Sequence, residues 1–287
     1  MPAFVFMISL CLGVSKNLLP KFSKDHFSIM PNVMTANIIT SISALLIFGV
    51  QGLDMSLFRD FRFIWMAALY GLFTMGAQTL YIKAVKDGPV SICSMIYAFC
   101  FLVPTIIMAL YFNEKIELSW VVGILFMLAS VALVVFKGET KNGTSKRYLI
   151  YILGAMISAG MVGMLQKFFG HIYGQDHFDE FIFISFLFML VYSVFGRIVI
   201  SSKGSKSEVD TRFYFICILL ALSNIVASRL NLYLSIALPA TVFFPSINGA
   251  TVFLSAIASA LIFKERLSSL GWIGIITGIA AILVIAT

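Results

Sequence analysis

The feature that most constrains this chain is a succession of apolar runs, each near the length of a bilayer crossing and parted by short polar gaps. A membrane-spanning helix needs about 20 mostly apolar residues. Ten such runs can be drawn, over 3–20, 32–52, 63–84, 89–112, 118–136, 148–169, 181–200, 213–237, 239–263 and 269–286. The gaps leave no room for an extramembrane domain. A water-soluble fold is excluded by charge: 11% of the residues are charged and 60% are hydrophobic, whereas soluble domains carry roughly 25% charge. The sequence therefore predicts an all-α membrane protein of ten transmembrane helices. The opening run has a signal peptide's length, but it lacks a basic leading region and matches a later segment, so it reads as helix one.

The two halves resemble each other. When the sequence is slid by 151 residues, Lys16 lands on Lys167, Gly123 on Gly274, and Asn113-Glu114-Lys115-Ile116 on Lys264-Glu265-Arg266-Leu267. A polar linker, 137–147, separates a first five-helix repeat at 1–136 from a second at 148–287. Five is an odd number, so the second repeat enters the membrane from the opposite side. A 5+5 inverted repeat is a common carrier architecture, because two inverted halves can rock about a central site.

The ten runs, the paired halves and the matched Glu114 and Glu265 at the ends of helices four and nine resemble the drug/metabolite transporter superfamily, and most of all its EamA-like permeases. The approach to helix nine, Ala237-Leu238-Pro239-Ala240, is similar to that family as well. The resemblance covers nearly the whole chain. It implies a secondary carrier, often an exporter of amino acids or other metabolites, with a cavity lined by both halves. In fold it also implies kinship with sugar-nucleotide and phosphate-ester carriers.

The net charge of +7 does not indicate nucleic acid, since the bases are scattered over short gaps rather than gathered in a stripe. Of twenty bases, twelve lie in the odd-numbered gaps, three in the even-numbered ones and five within the runs. By the positive-inside rule the odd gaps are cytoplasmic and both termini lie outside; the family resemblance implies the reverse. The five within the runs are Lys16, Lys83, Lys167, Arg197 and Arg229, and no acid lies within a run as drawn. A Lys or Arg at a helix centre costs about 2.5–3.5 kcal/mol on insertion scales. Lys83, Arg197, Lys16 and Lys167 lie near run ends, where snorkelling accounts for them; the matched positions of Lys16 and Lys167 give a role at the site as the other reading. Arg229 is deep, about eight residues from its run's end. Its counterpart at the 151 shift is Gln78, also deep and polar, so the pair is expected near a central site.

Polar stripes point to the same place. Tyr70, Thr74, Gln78 and Tyr81 share one face of helix three, Asn224, Ser228, Asn231 and Ser235 one face of helix eight, and Thr241, Pro245, Asn248, Ser255 and Ser259 one face of helix nine. The small hydroxyl residues are equally explained by close helix packing; the larger amides of Gln78, Asn231 and Asn248 need partners or a ligand. Pro104 and Pro245 are expected to bend helices four and nine. Glu114 and Glu265 sit beside Lys115 and Arg266 and read as interface anchors.

The expected activity is transport of a small metabolite, an amino acid or another anionic or zwitterionic solute, by alternating access. A membrane-embedded enzyme or a channel subunit is the alternative, but no metal cluster, carboxylate pair or nucleophile beside a base lies in the runs. His26, His171 and His177 fall in gaps, and the four cysteines form no ligand pattern. No cofactor is expected, and no Walker sequence points to ATP. Asn142-Gly143-Thr144 reads as a chance glycosylation sequon. Coupling to a proton or another ion, a homo-oligomer and a plasma-membrane location are compatible with the sequence.

Overall fold

The computed structural model describes residues 2–49, 55–112, 147–174, 177–201, 209–237, 240–264 and 269–286, with scattered positions between 119 and 130. Every regular element among them is helical. A backbone in lipid has no water to bond, so runs this apolar close their hydrogen bonds within helices. The helices are α1 (Pro2–Leu18), α2 (Met30–Gly49), α3 (Phe61–Asp87), α4 (Val90–Ala98), α5 (Leu102–Phe112), α6 (Arg147–Tyr173), α7 (Phe178–Ser201), α8 (Thr211–Ala237), α9 (Ala240–Ile262) and α10 (Ser269–Ala286). Among the described residues six segments are long and apolar enough on their own to cross a bilayer: Ala3–Ser23, Met30–Gly49, Phe61–Asp87, Arg147–Tyr173, Phe178–Ile200 and Thr211–Ser235. Large apolar side chains such as Phe4, Phe61, Trp65, Ile150, Phe195 and Leu261 point outward, as a lipid-facing surface requires.

The run at 89–112 is two helices. One 3-10 turn, Phe99–Phe101, parts α4 from α5. The cause lies just beyond it: Pro104 has no N–H to bond the carbonyl of Cys100, and its ring crowds that carbonyl. By contrast α9 continues through Pro245. The run at 118–136 is helical wherever it is described. Glu114, Lys115, Glu265 and Arg266, and all but the last residue of the 137–147 linker, lie outside the described residues.

The ends of α3 and α8 are built alike. Asp60 precedes α3 and accepts a hydrogen bond from the backbone N–H of Arg62 at 2.9 Å. Asp210 precedes α8 and accepts from the N–H of Phe213 at 2.8 Å. Each carboxylate satisfies a first-turn donor that would otherwise lack a partner. Phe63 and Phe213, three residues beyond, are fully buried. Phe63 packs edge-on against Phe169, Tyr173 and Phe181 of α6 and α7; Phe213 packs against Phe27 and His26, between α1 and α2.

Helix pairing follows a pattern. α3 packs on α6 and α8 on α1; α3 packs on α7 and α8 on α2; α6 packs on α4–α5 and α1 on α9; α2 pairs with α7 and α4 with α9. Exchanging α1 to α4–α5 with α6 to α9, in order, returns the same set. α3 and α6 run antiparallel, with Gly88 against Tyr148 at one end and Tyr70 against Gln166 further along. Small residues set the closest approaches. A Cβ on Gly71 would lie 2.3 Å from the Ser185 carbonyl oxygen, and one on Gly160 2.5 Å from Val103 Cβ and 2.7 Å from the Cys100 carbonyl. Gly160 thus lets α6 lie directly against the break in the fourth run.

Candidate substrate site at the centre of the bundle

A cavity of about 140 Å³ lies where α1, α3, α4, α6, α8 and α9 meet, and a second chamber of about 80 Å³ adjoins it. Lys16, Tyr97, Asn231, Ile247 and Asn248 line both chambers. Tyr70, Thr74, Gln78, Gln166, Asn224 and Ser228 line the larger one. Among the described lining residues Lys16 is the single charged side chain.

The polar groups are tied to each other in short chains. Asn224 Nδ2 donates to Gln78 Oε1 at 2.9 Å, and Gln78 Nε2 reaches Thr40 Oγ1 at 3.4 Å. Gln166 Nε2 donates to the Tyr70 hydroxyl at 3.0 Å. The Ser9 hydroxyl donates to Asn231 Oδ1 at 2.6 Å. Cys100 Sγ lies 3.8 Å from Asn248 Oδ1, at the break between α4 and α5. Such bonds hold amides in place where water is scarce and an unmade bond is costly. The Lys16 ammonium stands 5.9 Å from the Tyr97 ring centroid, a distance at which a cation is attracted to the ring face.

The expected site residues are therefore divided. The structure brings together Lys16, Tyr70, Gln78, Asn224, Asn231 and Asn248 around the two chambers. Tyr81 stands just behind: its hydroxyl bonds the Asn17 carbonyl at 3.3 Å and Ser94 at 3.0 Å, both residues of the smaller chamber. Lys16, expected to snorkel from a helix end, instead lines the cavity. Lys167 does not line it; its ammonium donates to the Ser235 carbonyl.

Arg229 requires a correction. It lies outside both chambers and forms a two-pronged ion pair with Asp179, with Nε–Oδ1 2.8 Å and Nη2–Oδ2 2.9 Å. Half of its side chain is exposed. The drawn run began at 181, whereas α7 begins at Phe178 and carries Asp179 in its first turn. The acid that satisfies Arg229 thus lies in the helix, just outside the run as drawn. Lys83 and Arg197 also keep to the periphery, over the Tyr151 ring and on the Thr35 hydroxyl. The side chains of Thr241 and Pro245 lie outside the described residues.

The register between halves also shifts. Residues 150 apart, not 151, share the cavity: Lys16 with Gln166, Thr74 with Asn224, Gln78 with Ser228 and Tyr97 with Ile247 in the larger chamber, and Ala98 with Asn248 in the smaller. The same spacing joins Asp60-Phe61-Arg62-Phe63 to Asp210-Thr211-Arg212-Phe213. That repeated Asp-x-Arg-Phe string was available in the sequence and would have fixed the register. Gln166 and Tyr97 carry no charge to mark them in an apolar run, and Gln166 sits beside the more conspicuous Lys167.

Apolar helices of membrane-crossing length packed around a partly polar cavity define an integral membrane protein. The model of the EamA-like transporter family matches residues 2–136, in keeping with the drug/metabolite transporter superfamily. The family is one of membrane transporters rather than enzymes. A solved crystal structure, described only as that of a protein, is similar in fold, with a TM-score of 0.66 and 14% identity, covering 98% of this chain and 97% of its own. No curated protein matches the chain.

Proposed function

We propose that this protein is a secondary carrier that moves a small, negatively charged metabolite across its membrane by exposing the Lys16 cavity alternately to each side. The observation that carries the reading is the lone ammonium of Lys16 among uncharged hydrogen-bonding groups. A charge in such a place is expensive unless it is paired, and an anionic solute supplies the pair. The matched helix pairings and the 150-residue register support two inverted halves around the site. The break at Phe99–Phe101 supports it too, since irregular backbone at membrane depth is tolerated where it lines a cavity.

The test is exchange in proteoliposomes holding the purified chain, with radiolabelled lactate, glycerate, malate and glutamate as probes. At least one should show saturable exchange. Lys16→Met, which keeps length and loses charge, should slow that exchange by more than about tenfold, equivalent to about 1.4 kcal/mol. Exchange at the unaltered rate by a Lys16→Met protein of normal thermal stability would remove the basis of the reading.

A further inference from the structure

We infer that the cavity selects a hydroxyl-bearing organic monoanion, a small hydroxycarboxylate, and discriminates against the amino acid of the same shape. The inference rests on the carrier reading above and narrows its substrate class. It begins with charge balance. With Lys16 protonated, a monocarboxylate makes the occupied cavity neutral. A zwitterionic amino acid leaves a net positive charge, and its ammonium finds no carboxylate among the described lining residues. Enclosed charges without a counter-charge are disfavoured far more than in water.

The amide orientations point the same way. Asn231 lines both chambers with Lys16. Its oxygen is held by the Ser9 hydroxyl at 2.6 Å, which leaves its Nδ2 donors for another acceptor. An ammonium and an amide N–H on one wall form a corner that suits a carboxylate. Gln166 occupies the position equivalent to Lys16 in the second half. Its Nε2 is engaged by the Tyr70 hydroxyl at 3.0 Å, which leaves Oε1 as an acceptor. A neutral amide oxygen accepts from an alcohol O–H without needing a counter-charge, whereas for an ammonium it supplies a dipole but no charge to balance it beside Lys16. The cavity is therefore built with a charged donor pole and a neutral acceptor pole. In this arrangement Ser9, which also borders the smaller chamber, is a positioning residue whose hydroxyl is committed to fixing the Asn231 amide.

Matched pairs test this directly: lactate against alanine, glycerate against serine, and phenyllactate against phenylalanine, each differing by O–H in place of N–H3+. In competition for exchange by the unaltered protein, the hydroxy acid of a carried pair should be bound at least tenfold more tightly. Asn231→Asp, which places a carboxylate opposite Lys16, should abolish that preference, and Ser9→Ala should weaken the hydroxy acid several-fold while thermal stability is retained. Equal competition within the pairs, together with exchange that still depends on Lys16, would overturn the selectivity and leave the carrier reading standing. Competition by no member of any pair against an anion that the protein exchanges would overturn the hydroxycarboxylate class and leave the carrier reading standing. A preference that survives in an Asn231→Asp protein of normal stability would overturn the role given to the amide corner.

Discussion

Gly160 and Leu10 stand 150 residues apart, the spacing that also relates the cavity residues, and shape their neighbours in opposite ways. Gly160 has no side chain, and the broken fourth run closes onto it, with Val103 and the Cys100 carbonyl in the space a Cβ would take. Leu10 is buried against Phe243 and Ile247 of the continuous α9. The helix pairing is shared between halves, while the contact surfaces are not. Lys16 and Gln166 differ in the same manner, one a cation and one a neutral amide on the same cavity. Shared pairing gives the bundle its arrangement, while residues 150 apart place unlike side chains on the same cavity.

The largest expected effect comes from erasing the first of these differences. Gly160→Leu would drive a side chain into the Val103 Cβ and a backbone carbonyl. Overpacking of a filled core costs typically about 1–3 kcal/mol, and a collision with backbone leaves little to repack. Little folded protein should accumulate, as judged by size-exclusion behaviour in detergent. Val103→Ala in the same chain should restore part of the yield. A Gly160→Leu protein with unaltered thermal stability would show that α6 does not press on the break.

Next in size is an exchange of the poles. Lys16→Gln alone should cut anion exchange by more than about tenfold, equivalent to about 1.4 kcal/mol. Lys16→Gln combined with Gln166→Lys should exceed that single variant by at least about tenfold, because the charge returns to the same cavity from the opposite half. If the double variant transports no better than the single one, the two positions are not functionally equivalent, however alike their placement.

Much of this arrangement was legible in the sequence, and the parts that were not have physical causes. Apolar runs of bilayer length show directly, since nothing else explains so little charge. The cavity faces of helices three and eight were readable because Tyr70, Thr74 and Gln78, and Asn224, Ser228 and Asn231, recur at helical spacing. The register was not. An offset of 151 fits Glu114 and Glu265, whereas 150 fits the cavity residues from Lys16 to Asn248. One residue turns a helix face by about 100°, enough to exchange Gln166 for Lys167 and Ser228 for Arg229. The Arg229–Asp179 pair was hidden for another reason: an acid in the first turn of a helix is easily drawn into the preceding loop.

The smallest expected effect concerns the two capping aspartates, which hold equivalent corners with different partners. Asp60 also accepts a hydrogen bond from the Tyr173 hydroxyl at the end of α6, while Asp210 faces His26 Nε2 at 3.4 Å. The Tyr173 hydroxyl, together with the backbone N–H groups of Arg62 and Phe63 and the charge of Arg62, holds the Asp60 carboxyl below its ordinary range. A carboxyl whose folded pKa is depressed stabilises the fold fully above its unfolded value, about 3.9, and that contribution is lost as pH falls through the depressed folded value. The melting temperature in detergent should therefore fall on acidification below about pH 4, and Asp60→Asn should flatten that acid limb while lowering the plateau slightly. Tyr173→Phe should flatten it in part, because it removes the largest cause of the shift and leaves the helix cap. An acid limb that is identical in Asp60→Asn and the unaltered protein would show that the Asp60 corner contributes no pH dependence, and that its resemblance to the Asp210 corner ends at the cap.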